Sequence, residues 1–420
     1  LGVALTAFTS LVQEYVRAKG WARDWPEGRL VALVGDAELD EGNVYEALLE
    51  CWKHGLRNCW WVIDYNRQSL DGVVREGLYD RIETVFRAFG WDVVTIKYGA
   101  LQRAAFQEPG GAALKAWIDA CPNPLYSALI FQGGAAWRER LTNEVGDQGE
   151  VSAFLERRSD GELANLMENL GGHCLQTVSE TFDNIDHDRP TAFIAYTVKG
   201  WGTPLAGHKD NHSGLMTEAQ MDEFRSAMNI RPGHEWDQAE GLDMDEVALR
   251  AHIDAAPFFA GGIRRHSAPR MAVPAETVTN PASTGQTIST QTAFGKILDA
   301  IARSDSEFAG RILTTSPDVT VSTNLGAWVN RQHLFARHEI ADTFRDERVP
   351  SAQKWRFTPD GQHIELGIAE MNLFLLLGAA GLSHSLFGER LLPIGTVYEP
   401  FISRGLDALT YACYQDARFM

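Results

Sequence analysis

Two apolar runs, "LVALV" and "CWWVI", each end on a polar cluster: Gly35 and Asp36 after the first, Asp64, Tyr65 and Asn66 after the second. Apolar runs this short, bounded by Gly and Asp, suit strands buried on both faces, and such strands belong to parallel sheets. The stretch between them, "DEGNVYEALLECWKHG", has helical periodicity, so the segment reads as one strand-helix-strand unit. Parallel neighbours put their carboxyl ends side by side, which is where open α/β sheets bind ligands. The feature fixes a fold class, doubly wound α/β, and a place to look for chemistry.

The alternation extends in both directions. Residues 1–22 carry helical periodicity, "RIETVFRAFGWDVVTIKYG" reads as a helix and a strand, and "TAFIAYTVKG" as another buried strand. Between Phe258 and Ser289 the chain turns rich in Pro, Gly, Ser, Thr and Ala and loses both periods, as linkers do. Helix "TQTAFGKILDAIARSD", strand "RILTTSPD" and helix "AEMNLFLLLGAAGLSH" then resume the pattern. The expectation is two doubly wound parallel-sheet domains, 1–257 and 287–420, joined by a linker over 258–286. At 420 residues the chain exceeds one ordinary core, since domains run to roughly 100–200 residues.

A formal charge of −18 repels phosphates at long range and argues against a nucleic-acid partner. With 45% hydrophobic and 22% charged residues the chain is not a disordered one. Its cysteines are scattered without a CxxC pair, which signals neither a disulfide framework nor a zinc site. No apolar run approaches the roughly 18 residues of a membrane span, and no secretory leader is recognisable. The expectation is a cytoplasmic protein with no membrane partner. The chain starts and stops inside helical patterns, so a piece of a longer chain is expected.

Asp36 and Asn66 end neighbouring strands and offer hard oxygen atoms, the ligands that Mg²⁺ prefers when it bridges to phosphates. The rival reading is plain: Asp36 caps the next helix and Asn66 closes a turn. Spacing alone leaves both open. The wider stretch "GDAELDEG…VIDYNRQSLDG" resembles the thiamine-diphosphate motif, which begins Gly-Asp-Gly and ends at an Asn. The resemblance implies that Asp36, the Asn66 side chain and the Gln68 main-chain carbonyl bind Mg²⁺, and that Gly35, Asp36, Ala37, Glu38 and Asn66 surround the diphosphate of thiamine diphosphate. Ala37 stands where the motif has its second Gly, which a backbone at negative φ tolerates.

The ending "NRQSLDG" is similar to that of homodimeric bacterial pyruvate dehydrogenases, within the transketolase superfamily. "GQHIELGIAEMN" resembles that superfamily's Gly-Ile-x-Glu segment, making Glu370 the carboxylate beside the aminopyrimidine ring. A Glu there promotes the imino tautomer that activates the coenzyme. By the same resemblance, Ile368 and Leu70 help keep the coenzyme bent, and Tyr398 and Phe401 are candidates to stack on its pyrimidine, their plain reading being core aromatics. "AYTVKGWGTPLAGHKDNHSGLMT" resembles the Lys-Gly-Tyr-Gly strand end and the loop that follows it. Lys199 would contact the diphosphate, and His212 would act on substrate-derived intermediates. His208 is the rival for that role, and an exposed loop histidine is the ordinary alternative for either. "LGGH" at 170–173 echoes the family too, with glycines that shape a turn. The acidic "EWDQAEGLDMDE" lacks the spacing of a calcium loop and reads as a solvated face.

The resemblance implies oxidative decarboxylation of a 2-oxo acid, most naturally pyruvate, with acyl transfer to a lipoyl-bearing dihydrolipoamide acyltransferase. It also implies a homodimer, since the family's site lies between one subunit's diphosphate domain and its partner's pyrimidine domain. Relative to the family, parts are missing at both ends, so this piece alone is expected to turn over little. "TTSPDVTVSTNLG" favours a second possibility, transketolase-like two-carbon transfer between sugar phosphates. A partner-binding scaffold without catalysis is opposed by the joint presence of Asp36, Asn66 and Glu370.

Overall fold

The computed structural model describes residues 1–22, 26–70, 72–257, 266–274, 281 and 285–420. Its first sheet is parallel throughout, in the order β1-β2-β4-β3, with β1 Leu30–Gly35, β2 Cys59–Tyr65, β3 Asp92–Ile96 and β4 Thr191–Tyr196. In register Gly35 lies beside Asp64, so the two polar strand ends are neighbours. Helices α1 (Gly2–Ala18), α2 (Gly42–Lys53) and α3 (Leu78–Ala88) cover one face through Ala7, Leu48 and Phe86. Helix α4 (Leu175–Asp183) covers the other, where Phe182 and Val178 pack on Trp60 and Phe193.

The expectation of strands buried on both faces fails at β1. Val31 is 49% and Leu33 80% exposed. The reason is geometric: β1 is an edge strand, and the core around α4 takes its residues from β2, β3 and β4 alone. Between β3 and β4, where the sequence reading assigned no elements, a set of short helices builds a core of its own around Trp137, Tyr126 and Phe154.

The second sheet is also parallel, in the order β7-β6-β8-β5-β9. Helix α5 (Thr290–Arg303) precedes β5 (Ile312–Ser316), and the very short β6 (Leu334–Phe335), β7 (Phe357–Thr358) and β8 (His363–Glu365) lead into helix α6 (Glu370–Gly381). Strand β9 (Leu392–Gly395) and helix α7 (Leu406–Tyr414) complete the unit. Its two faces are covered by α6 and by α5. The expected linker lies largely outside the described residues. Its described part runs along the second unit, where His266 and Ala268 donate N–H groups to the Ser385 and His384 carbonyls at 2.9 and 3.1 Å. We propose the same division, 1–257 and 287–420, for the folded chain.

Helix α1 works on two fronts. Val3 and Ala7 pack on the first sheet, while Phe8, Leu11, Val12 and Tyr15 join Leu373, Leu376 and Leu377 of α6. A helix apolar nearly all round is a buried helix, and α6 is buried at every described position but Met371. Among the described residues no helix is long and apolar enough to cross a membrane. Phe8 is 2% exposed at this junction. Replacing it by Ala is expected to cost about 3–5 kcal/mol, read as a lower urea midpoint; an unchanged midpoint would mean that α1 does not hold the two sheets together.

Candidate active site

Strand β1 ends at Gly35 and the chain turns at once into a short helical turn over Asp36–Asp40. Asp36 is buried, and its Oδ2 accepts the main-chain N–H of Arg67 at 2.9 Å. The carboxylate at the end of β1 is thereby tied to the loop at the end of β2. In that loop the Asn66 Oδ1 accepts the Gln68 N–H at 3.0 Å, and Gln68 Nε2 donates to the Gly207 carbonyl at 3.0 Å. Both side-chain oxygens keep lone pairs to offer, and Gln68 Oε1 is buried without a partner.

Burial pushes the Asp36 carboxyl up to about 6; the Arg67 N–H opposes this, the nearby charge of Asp64 adds to it, and Lys199 pulls it back. A desolvated carboxylate beside a carboxamide and a free backbone carbonyl is a donor set of hard oxygens, which suits Mg²⁺. Ala37 keeps a negative φ, so its methyl group is no obstacle. A Cβ at Gly35 would come into ordinary contact with the Glu38 side chain, at 3.5 Å. Glu38 itself is exposed.

Lys199 stands just beyond β4, and its Nζ lies 3.4 Å from the Ser69 carbonyl. Its own carbonyl accepts the Gly207 N–H at 3.0 Å and Asn211 Nδ2 at 2.9 Å, pinning the loop back on the strand end. That loop carries His208, edge-on to Phe131, and His212, which is exposed. Leu70 is 64% exposed beside the same loop.

The second group gathers at the start of α6. Glu370 is buried, with Arg404 Nε 3.4 Å from its Oε2. Asp318, at the end of β5, is held above the usual carboxylate range by burial and then by the charge of Glu370. Its Oδ2 is buried without a partner. Tyr398 and Phe401 face each other at 6.5 Å and are partly exposed, and Ile368 stands out at 85% exposure. The structure thus brings Asp36, Asn66, Gln68 and Lys199 together, and Glu370 with Tyr398 and Phe401. Among the described residues no hydrogen bond or ion pair joins Asp36 to Glu370.

Three residues escaped the sequence reading. Asp318 could have been found, because it ends an apolar strand run as Asp36 does. His173 lies in the glycine turn whose Cβ-free positions let Ile96 O and Tyr196 O approach within 2.5 and 2.8 Å of where side chains would start. It accepts the Val198 N–H at 2.7 Å, stacks on Trp201 at 4.4 Å, and is held below the usual histidine range by burial. Arg404 carries no sequence signal.

The Asp36 shift has a stability consequence. A carboxyl with a raised folded pKa binds its proton more tightly folded than unfolded, so stability is greatest at low pH and falls as pH rises towards about 6. Without added metal, the parent is expected to lose on the order of 2–3 kcal/mol relative to Asp36→Asn between about pH 4 and 7. Mg²⁺ should restore more stability at pH 7 than at pH 5 if it takes the place of that proton. Parallel denaturation curves for the two proteins would expose a wrong sign.

No family model matches the chain. Over its whole length it is 26% identical to the pyruvate dehydrogenase E1 component of Mycobacterium tuberculosis and 24% identical to that of Corynebacterium glutamicum, covering 46% of each. The chain therefore spans about half the length of the curated relatives it matches. Among solved structures it resembles transketolase from Campylobacter jejuni and from Leishmania mexicana, each with a TM-score of 0.53 and 15% identity, over 97% of this chain and 48% of theirs. The two parallel sheets and their helices have the transketolase fold, carried by a sequence similar from end to end to pyruvate dehydrogenase E1 components.

Proposed function

We propose that the full-length protein oxidatively decarboxylates a 2-oxo acid, pyruvate before others, and passes the acyl group to a lipoyl group on a partner acyltransferase. One observation carries this reading: a buried Asp36 tied to the Asn66–Gln68 loop and a buried Glu370 occur in one chain that is similar throughout to pyruvate dehydrogenase E1 components.

Thiamine diphosphate, when bound, supplies the nucleophilic carbon and the electron sink that decarboxylation needs. The chain's own residues hold and steer it. Asp36, Asn66 Oδ1 and the Gln68 carbonyl would bind Mg²⁺, and Lys199 would place its point charge on the diphosphate. Gly35, Ala37 and Glu38 form the turn around it. Glu370, buried beside the exposed Arg404 guanidinium, would hold a proton at the aminopyrimidine ring. Tyr398 and Phe401 offer ring faces, while Leu70 and Ile368 offer apolar contacts. His212, on its exposed loop, is free to reach a substrate.

A homodimer is part of the reading. Among the described residues no hydrogen bond or ion pair joins Asp36 to Glu370, and residues proposed to touch the coenzyme, Leu70 and Ile368, are exposed, as coenzyme and partner surfaces are before assembly. The bare face of β1 adds to the apolar area awaiting cover.

The full-length protein should reduce an electron acceptor with pyruvate and should not transfer two-carbon units from a ketose phosphate to an aldose phosphate. The reverse result would replace this reading with the transketolase-like one. Glu370→Gln keeps shape and removes the charge; kcat is expected to fall by roughly 10²–10⁴, with Mg²⁺-dependent coenzyme binding retained.

A further inference from the structure

Behind the Asn66–Gln68 loop lies a cavity of about 210 Å³, lined by Arg67 and by the rings of Tyr65, Tyr126 and Tyr196 among others. Arg67 is 5% exposed. A guanidinium so deeply placed is normally paired with a carboxylate and fully hydrogen-bonded, because an uncompensated buried charge is costly. Here Nη2 donates to the Thr197 carbonyl at 3.1 Å, and Nε has no partner. Arg67 forms no ion pair among the described residues. Its charge rests on ring faces instead, with Cζ 4.9 Å from the centroid of Tyr126 and 5.8 Å from that of Tyr196. The backbone at Arg67 is left-handed, φ 66°, which non-glycine residues seldom adopt.

The acidic groups of the cavity do not fill this role. Asp119 is taken by Lys97 and Lys115. Glu76 accepts the Asn123 N–H at 2.7 Å and, with Asp80, sits on the exposed rim rather than the buried floor. What remains is a buried, planar guanidinium, one N–H engaged by the Thr197 carbonyl, on a cavity walled by aromatic rings. A guanidinium fork matches a carboxylate through two parallel hydrogen bonds, and ring faces bury an apolar body.

We propose that this cavity binds a small organic carboxylate, its oxygens on Arg67 and its apolar body against the tyrosine rings. The main-chain N–H of Arg67 is the group that holds Asp36, so the anion's anchor and the strand-end carboxylate share one residue. Any effect of the anion on the coenzyme rests on the proposed function; the anion site does not.

The test is calorimetric titration of the full-length protein with benzoate, and separately with inorganic phosphate, in EDTA so that a Mg²⁺-dependent diphosphate site stays silent. Benzoate should bind saturably and more tightly than phosphate, and Arg67→Met should weaken it roughly tenfold or more. Cys121→Met adds bulk at the cavity wall without touching the guanidinium, and should weaken benzoate as well. The proposal is overturned if benzoate shows no saturable binding, if phosphate binds more tightly, or if Arg67→Met leaves benzoate affinity unchanged. Should Arg67→Met not fold, unaltered affinity in Cys121→Met overturns it alone.

Discussion

The hydrogen bond from the Arg67 amide to Asp36 holds the first sheet's business end together. Parallel pairing brings the ends of β1 and β2 level, but pairing stops at Gly35 and Asp64. Beyond that point the second loop is braced by its own backbone bonds, Val74 N–H to the Arg67 carbonyl and Ser69 N–H to the Gly72 carbonyl, and side-chain contacts add the rest. The Asp36 carboxylate supplies one such contact, Asn66 another within its own turn, and Gln68 a third to Gly207. Loosen the first, and the oxygen atoms gathered there lose their common geometry.

Burial explains both the value and the cost of this arrangement. Asp36 is displaced towards its neutral form because water is kept away, and a divalent cation would reverse that displacement. Asp318 repeats the theme at the end of β5, raised by burial and by the neighbouring Glu370 carboxylate, which Arg404 approaches. Each sheet thus places an acid at a strand end or helix start, and each leaves apolar side chains exposed beside it, Leu70 in one case and Ile368 in the other.

Much of this was legible in the sequence because buried strands announce themselves. β1, β2 and β4 are mostly apolar runs that end on Gly or Tyr, β3 and β5 are runs rich in Val, Ile, Leu and Thr, and α6 is too apolar to be anything but buried. Asp36 and Glu370 were singled out by resemblance, since spacing left Asp36 equally open as a helix cap, and their burial is what the structure adds. β6, β7 and β8 were not, since strands of two or three residues carry no measurable period. The helices between β3 and β4 were missed because their apolar residues serve a separate core that no strand pattern marks. Arg67 was invisible: nothing in "DYNRQSLDG" reveals that its long charged side chain is buried along with those of Asn66 and Gln68.

Helix α1 has a further consequence, for synthesis rather than for the finished molecule. Its apolar face is completed by α6, more than three hundred residues downstream. At about 5–20 residues per second, a ribosome takes roughly twenty seconds to a minute or more to deliver that partner. Throughout that interval Phe8, Leu11 and Tyr15 lack the α6 side chains that cover them in the finished fold, which makes the segment a natural client for a chaperone acting during translation.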